Sequence, residues 1–301
     1  MFSKKPKEKK EKPQKAAKNK KKQKQPQEPQ WLLNPLKNEV LNYRVYKLNA
    51  VERMLYSLMA FAVGGLVGLL FYGGLFKVEG VATLATYISN VIVFVVVGVV
   101  AIKVFLPVRA EQLMKKRQKA LRIQFRDMLE SITVSLSANN TVIQAFDDAY
   151  QDMRVQYSEE AYITQELFQL VQARKNNVDM VLMIEDLAKR SACEDIENFS
   201  NVFKVSLGPG GRMKEIMRYT HDLICDKIQI EDEIESKMSA NRLELNVITV
   251  APVFIVGMLR FSNASFAENF ASPAGVLSMT VGIAMFVLAY RMGQKIVNFG
   301  E

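Results

Sequence analysis

Apolar positions along this chain fall into four long runs, and polar positions gather between the second and third. Runs 54–76 and 80–102 contain no Asp, Glu, Lys or Arg over about 23 residues each, enough for a helix to cross a hydrocarbon core. The valine-rich second run has strand-like propensity, but an isolated strand leaves its backbone unsatisfied in lipid, so a helix is expected. Run 245–263 is uncharged only as far as Leu259; it reaches spanning length if Arg260 snorkels to the outer interface, and Pro252 is expected to kink it. Run 271–290 is the fourth candidate span. Gly64 and Gly68 form a G-x-x-x-G pair that admits the close approach of another helix.

The polar block 108–244 has helical periodicity throughout, in six segments. The first runs from about Ala110 to Ser137 after an exit at Pro107, with Leu121, Phe125, Met128, Leu129 and Ile132 on one face. Thr141 and Gln144 make a capping box for the second. Ser158 opens a third, with Ile163 and Leu167 inward, and a fourth carries Val181 and Leu187. Ser191 and Glu194 read as another capping box, opening the fifth toward Phe199 and Phe203. The sixth starts near Arg212 and can continue unbroken into the third span. Short links favour antiparallel neighbours. The expected fold is therefore all-α: a polytopic membrane protein with four transmembrane helices and a cytoplasmic six-helix antiparallel bundle. Its expected divisions are a basic tail (1–30), an amphipathic interfacial helix (31–53), a span pair (54–107), the bundle (108–244), and a second span pair with a short tail (245–301). The interfacial helix rests on Leu41, Val45, Leu48 and Leu55 recurring at helical spacing with Arg44, Lys47 and Arg53 between them.

Charge changes this picture at one end only. Residues 1–30 hold 12 Lys and 3 Glu, a surplus equal to the formal net charge of the whole chain, +9. The high isoelectric point is thus a property of the tail. The tail is too polar to offset its ordering entropy, so disorder is expected, with attraction to anionic lipid of about 1 kcal/mol per lysine near the surface. Nucleic acid is not expected, because no aromatics are interleaved with the lysines. Basic residues near the span ends (Arg53, Arg109, Lys115, Lys116, Arg291 and Lys295) place both termini and the central block in the cytoplasm.

The chain lacks a G-x-x-x-x-G-K-[ST] phosphate loop, so it is not expected to hydrolyse ATP itself. His221, the only histidine, lies four residues from Cys225 on one helix face, with Asp222 and Asp226 near; structural zinc takes four ligands in paired motifs, which this is not. Cys193 and Cys225 read as reduced thiols. With no histidine base beyond His221, no nucleophilic triad assembles, so the protein is expected not to be an enzyme and to need no cofactor. A transporter or channel component, relying on polar span residues such as Thr83, Ser89, Asn90 and Thr280, is the alternative reading.

Several segments together resemble the type II secretion system F domain: 125–131 (FRDMLES), Ala145-Phe146, Leu187 to Arg190, Asp195-Ile196, 210–216 (GGRMKEI), Ala240 to Arg242, Ala251-Pro252, and 293–297 (GQKIV). With one such domain and a span pair on each side, the chain is most similar to the TadB-like platform proteins of tight-adherence pili. The resemblance implies a membrane platform coupling a cytoplasmic secretion or pilus ATPase to extraction of prepilin subunits, alongside itself or a second F-domain platform protein. The family usually has glycine near Asn139 and Asn176; asparagine is the next-best residue for a left-handed turn, so both turns are expected to persist. The expected partner-contact surface is the turn at Gly208, Gly210 and Gly211 with Arg212, Lys214 and Glu215 at the start of the next helix.

Overall fold

The computed structural model describes residues 28–76, 81–206, 212–262 and 264–297. In chain order the elements are β1 (Trp31–Leu33), β2 (Glu39–Leu41), α1 (Ala50–Tyr72), α2 (Leu84–Ser137), α3 (Val142–Tyr157), α4 (Tyr162–Lys175), α5 (Met180–Ser191), α6 (Glu194–Ser206), α7 (Met213–Ser262), α8 (Ala264–Ala271) and α9 (Pro273–Val297). Four of these helices, α1, α2, α7 and α9, are long and apolar enough to cross a membrane, which fits a multi-pass membrane protein.

The amphipathic helix expected over 31–53 is not formed. β1 and β2 pair antiparallel, with Trp31 opposite Leu41 and Leu33 opposite Glu39. Asn34 shapes the connection: its side chain accepts from the Asn38 amide at 2.9 Å, and Lys37 sits at φ 62°. Pro35, which donates no backbone hydrogen bond, adds to the case against a helix here. The helix starts only at Ala50, where Asn49 and Glu52 form a capping box. Leu41 and Val45 therefore share a spacing but no helix.

One further difference concerns continuity. α2 runs unbroken through Pro107 over 54 residues: one missing N–H removes one ladder bond, and the turns on either side hold the helix. α7 continues through Pro252 over 50 residues, as the sixth pattern allowed. Ser158 does not open a helix but ends α3 at φ 86°, and α4 starts at Tyr162. Ser191 is the last residue of α5; its hydroxyl accepts from the Cys193 amide at 3.2 Å instead of capping α6. The Thr141–Gln144 capping box forms as expected. Asn139 and Asn177 adopt φ 63° and 54°, the left-handed turns expected of them.

The second half of α2, helices α3 to α6 and the first half of α7 enclose one apolar core. Phe125 meets Phe199 edge-on at 5.3 Å, and Phe203 packs against Phe199 at 5.6 Å and Phe146 at 5.9 Å. α7 contributes Met213, Met217, Thr220, Ile224 and Ile228, one face at helical spacing. Nearer the apolar ends, α1 and α2 lie against each other through glycines. A Cβ at Gly64 would stand 2.4 Å from the Ala101 Cβ, one at Gly65 2.4 Å from the Phe94 ring, and one at Gly98 2.6 Å from the Phe61 ring. The G-x-x-x-G pair thus meets α2.

Candidate functional site

Of the expected contact surface, Gly208, Gly210 and Gly211 lie outside the described residues. Arg212, Lys214 and Glu215 are exposed at the start of α7. Between them Met213 turns inward, 7% exposed, so the core fixes the direction in which Arg212 and Lys214 project. Among the described residues their side chains form no ion pair.

Further along α7, the acidic residues Glu231, Asp232 and Glu235 find partners within the chain. Arg122 on α2 donates to both carboxylate oxygens of Glu231 at 2.9 and 2.6 Å. Lys119 reaches Glu235 at 3.1 Å and Asp232 at 3.4 Å. Asp195, 5% exposed on α6, lies 3.8 Å from Arg122 and accepts from Lys227 on α7. The hydrogen bond to Asp195 holds the Lys227 ammonium above its ordinary range. α2, α6 and α7 are therefore joined by charge on the side of the domain that leads to the spans.

A second polar cluster is buried and was not anticipated from the sequence. Arg190 on α5 and Glu166 on α4 form a bidentate pair at 2.8 and 2.8 Å, with Arg190 3% exposed. Arg190 also donates to Asp186 at 2.6 Å and to the Leu41 carbonyl at 2.8 Å. Tyr43, 1% exposed, donates its hydroxyl to Glu166 at 3.0 Å, and its amide donates to the Arg190 carbonyl at 3.0 Å. Burial opposes the Arg190 charge, but Glu166 and Asp186 outweigh it and hold the guanidinium above the usual arginine range. Burial, reinforced by Glu166, raises the Tyr43 phenol well above its ordinary value. The segment that leads into α1 is thus plugged into the domain core. Arg190 stood within a motif noted in the sequence, and Asp186 lies one helical turn before it, but Glu166 and Tyr43 lie 24 and 147 residues away and no local pattern marks them.

Among the described residues no group of three or more His, Cys, Asp or Glu is placed to hold a metal. His221 lies 3.5 Å from the Cys225 sulfur and 3.1 Å from Asp222, a local contact within one helix. Both cysteines are reduced, and burial pushes the Cys193 thiol up, away from the reactive thiolate.

The polar residues of the apolar helices are engaged in hydrogen bonds within the chain. Thr83 caps α2. Ser89 donates to the Thr86 carbonyl at 2.9 Å, and Asn90 accepts from the Gly74 amide at 2.8 Å. Thr280 lies 3.0 Å from the Tyr72 hydroxyl, linking α9 to α1. The half-buried Arg260 donates to the Leu70 carbonyl at 2.5 Å and to the Gly73 carbonyl, placing a cation at the C-terminal end of α1, where the helix dipole favours it.

Comparison of the chain with protein-family models, curated proteins and solved structures gave no match.

Proposed function

We propose that this chain is a non-enzymatic platform in the cell membrane for tight-adherence (type IV) pilus assembly or type II-like secretion, coupling a cytoplasmic ATPase to the extraction of prepilin subunits. On this reading the domain built by α2 to α7 is a cytoplasmic six-helix antiparallel bundle, and both termini share its side, as the basic flanks favour. The basic tail associates with anionic lipid. The platform works with further copies of itself or with a second platform protein of the same kind.

The observation that carries this reading is helix continuity. α2 contributes Leu121, Phe125 and Ile132 to the core, and α7 contributes Met217, Ile224 and Ile228; each then continues without a break into an apolar helix. A load applied to the bundle therefore reaches two spans through rigid helix, with no flexible linker between. The engagement of Thr83, Ser89, Asn90 and Thr280 in hydrogen bonds within the chain does not favour a transport pathway built from them.

The test is reversal of Arg212 and Lys214 to Glu together. Pilus or secretion output should be lost while the protein stays folded and membrane-inserted, and its co-purification with the ATPase should fall by at least tenfold, about 1.4 kcal/mol. Undiminished co-purification and assembly would exclude this surface. Absence of any association between the wild-type chain and the ATPase would exclude the function.

A further inference from the structure

Between the hairpin and helices α3 and α4 lies a cleft of about 260 Å³. Its lining residues include the aromatics Trp31, Tyr150 and Phe168 and the acids Glu39 and Glu159. Trp31 is 53% exposed and Phe168 41%, so substantial parts of both side chains face outward. The hairpin is held over α4 by Gln169, which accepts from Asn34 at 3.1 Å and from Asn38 at 2.9 Å. The cleft thus has one wall from each side of a fixed junction.

Aromatic faces with a carboxylate beside them form a receptor for an organic cation. One side of the cleft already shows this chemistry: the Arg154 guanidinium lies 5.5 Å from the centre of the Tyr150 ring and pairs with Glu159. On the other side, Glu39 forms no ion pair among the described residues. Glu166, which also lines the cleft, shares Arg190 with Asp186, which leaves that cluster with excess negative charge. The open half of the cleft is therefore aromatic and acidic.

We propose that this half receives a lysine side chain from residues 1–27 of the same chain. Those residues carry 12 Lys against 2 Glu, which gives the charge complementarity. Their point of attachment gives the proximity. Asn42 holds the carbonyls of Gln30 at 2.8 Å and Pro29 at 3.1 Å, so the segment joins the fold within a few residues of Trp31, a wall of the cleft. A tether that short raises the local lysine concentration to the millimolar range, which a lysine on another protein must exceed. The inference does not depend on the proposed pilus function.

Trp31 is the only tryptophan of the chain, so its fluorescence reports on the cleft directly. The full chain and a variant lacking residues 2–27 are compared in a neutral detergent, which removes anionic lipid as a competing surface. Deletion should shift the Trp31 emission, and a synthetic peptide of residues 1–27 should restore it saturably. Added salt should weaken that restoration, and a peptide with every Lys replaced by Gln should not restore it. Phe168→Ala should weaken peptide binding about tenfold, in keeping with the loss of a ring face from a cation site. Should that variant not fold, Glu39→Gln should weaken binding about threefold instead, a rim-charge effect. Emission indifferent to the deletion would overturn the proposal. So would peptide binding that responds to salt but to neither Phe168→Ala nor Glu39→Gln, since diffuse attraction alone would then hold the segment.

Discussion

At the centre of the helical domain Phe125, Phe199 and Phe203 are at most 1% exposed and pack ring against ring. Where α1 meets α2, Gly64, Gly65, Gly68 and Gly98 bring the two backbones together, and rings such as Phe94 and Phe61 lie over the glycines. The two regions close their packing in opposite ways because they exchange apolar surface with different solvents. In water, removing a large ring from solvent is itself the driving force. In lipid the surroundings are as apolar as the side chain, so association depends on close backbone approach and van der Waals fit. The regions differ again in their polar groups. The domain encloses a charged cluster at Arg190, whereas the long apolar helices satisfy their polar groups through short hydrogen bonds such as Ser89 to Thr86 and Arg260 to the end of α1.

The largest test of this contrast is in the domain. Glu166→Ala leaves Arg190 with Asp186 as its one carboxylate partner, beside the Leu41 carbonyl, and strips the acceptor from the Tyr43 hydroxyl. Removing one partner of a buried pair costs about 3–5 kcal/mol; the Asp186 contact that remains favours the lower end. Denaturant unfolding of the domain signal gives the magnitude. Hydrogen exchange at the Tyr43 amide, bonded to the Arg190 carbonyl, should rise before global unfolding. Unchanged protection at Tyr43 would mean that the cluster does not hold the segment leading into α1.

The next test is in the spans. Gly65→Leu must place a side chain where the Phe94 ring already lies, and overpacking of this kind costs about 1–3 kcal/mol. Gly282→Leu on α9 is the matched control, since a Cβ there meets nothing within 4 Å. Cysteine cross-linking of α1 to α2 in the membrane should fall for the first substitution and be unaffected by the second. Equal effects would mean that the glycines of α1 are not a packing surface.

What could be read from the sequence follows the same division. The four apolar helices, the Thr141 cap and the turns at Asn139 and Asn177 depend on local pattern and backbone preference, and they were legible. The hairpin was not. Leu41, Val45 and Leu48 have helical spacing, but Tyr43 is held by Gln118, Glu166 and Arg190 from three other helices, and those tertiary contacts decide the segment. The pairing of Glu231, Asp232 and Glu235 on α7 with Lys119 and Arg122 was not legible residue by residue, because more than a hundred residues separate the partners. Of the candidate contact surface, the exposure of Arg212 and Lys214 followed from their place beside an inward-facing Met213.

The smallest effect is a titration at the edge of the domain core, where the half-buried Tyr157 phenol lies against the buried Asp127 carboxylate. Burial first, then a hydrogen bond to the Asp127 carboxylate and its charge, push the Tyr157 phenol up to about 12 against the opposing Arg126. Tyrosine ordinarily titrates near 10. The folded protein therefore holds the proton more tightly than the unfolded chain, and the sign follows: this contribution to stability is complete below about pH 10 and is lost as pH rises toward 12. Asp127→Asn removes the charge but leaves the burial, so the Tyr157 titration should move only part of the way back toward 10. The chain has 10 tyrosines, and Tyr43 is raised as well, so the signal must be assigned by subtracting the ultraviolet titration of Tyr157→Phe from that of the parent. A difference curve centred near 10 in the parent would show that the pocket is open to water. A difference curve near 12 that Asp127→Asn leaves in place would assign the whole shift to burial and none to the carboxylate.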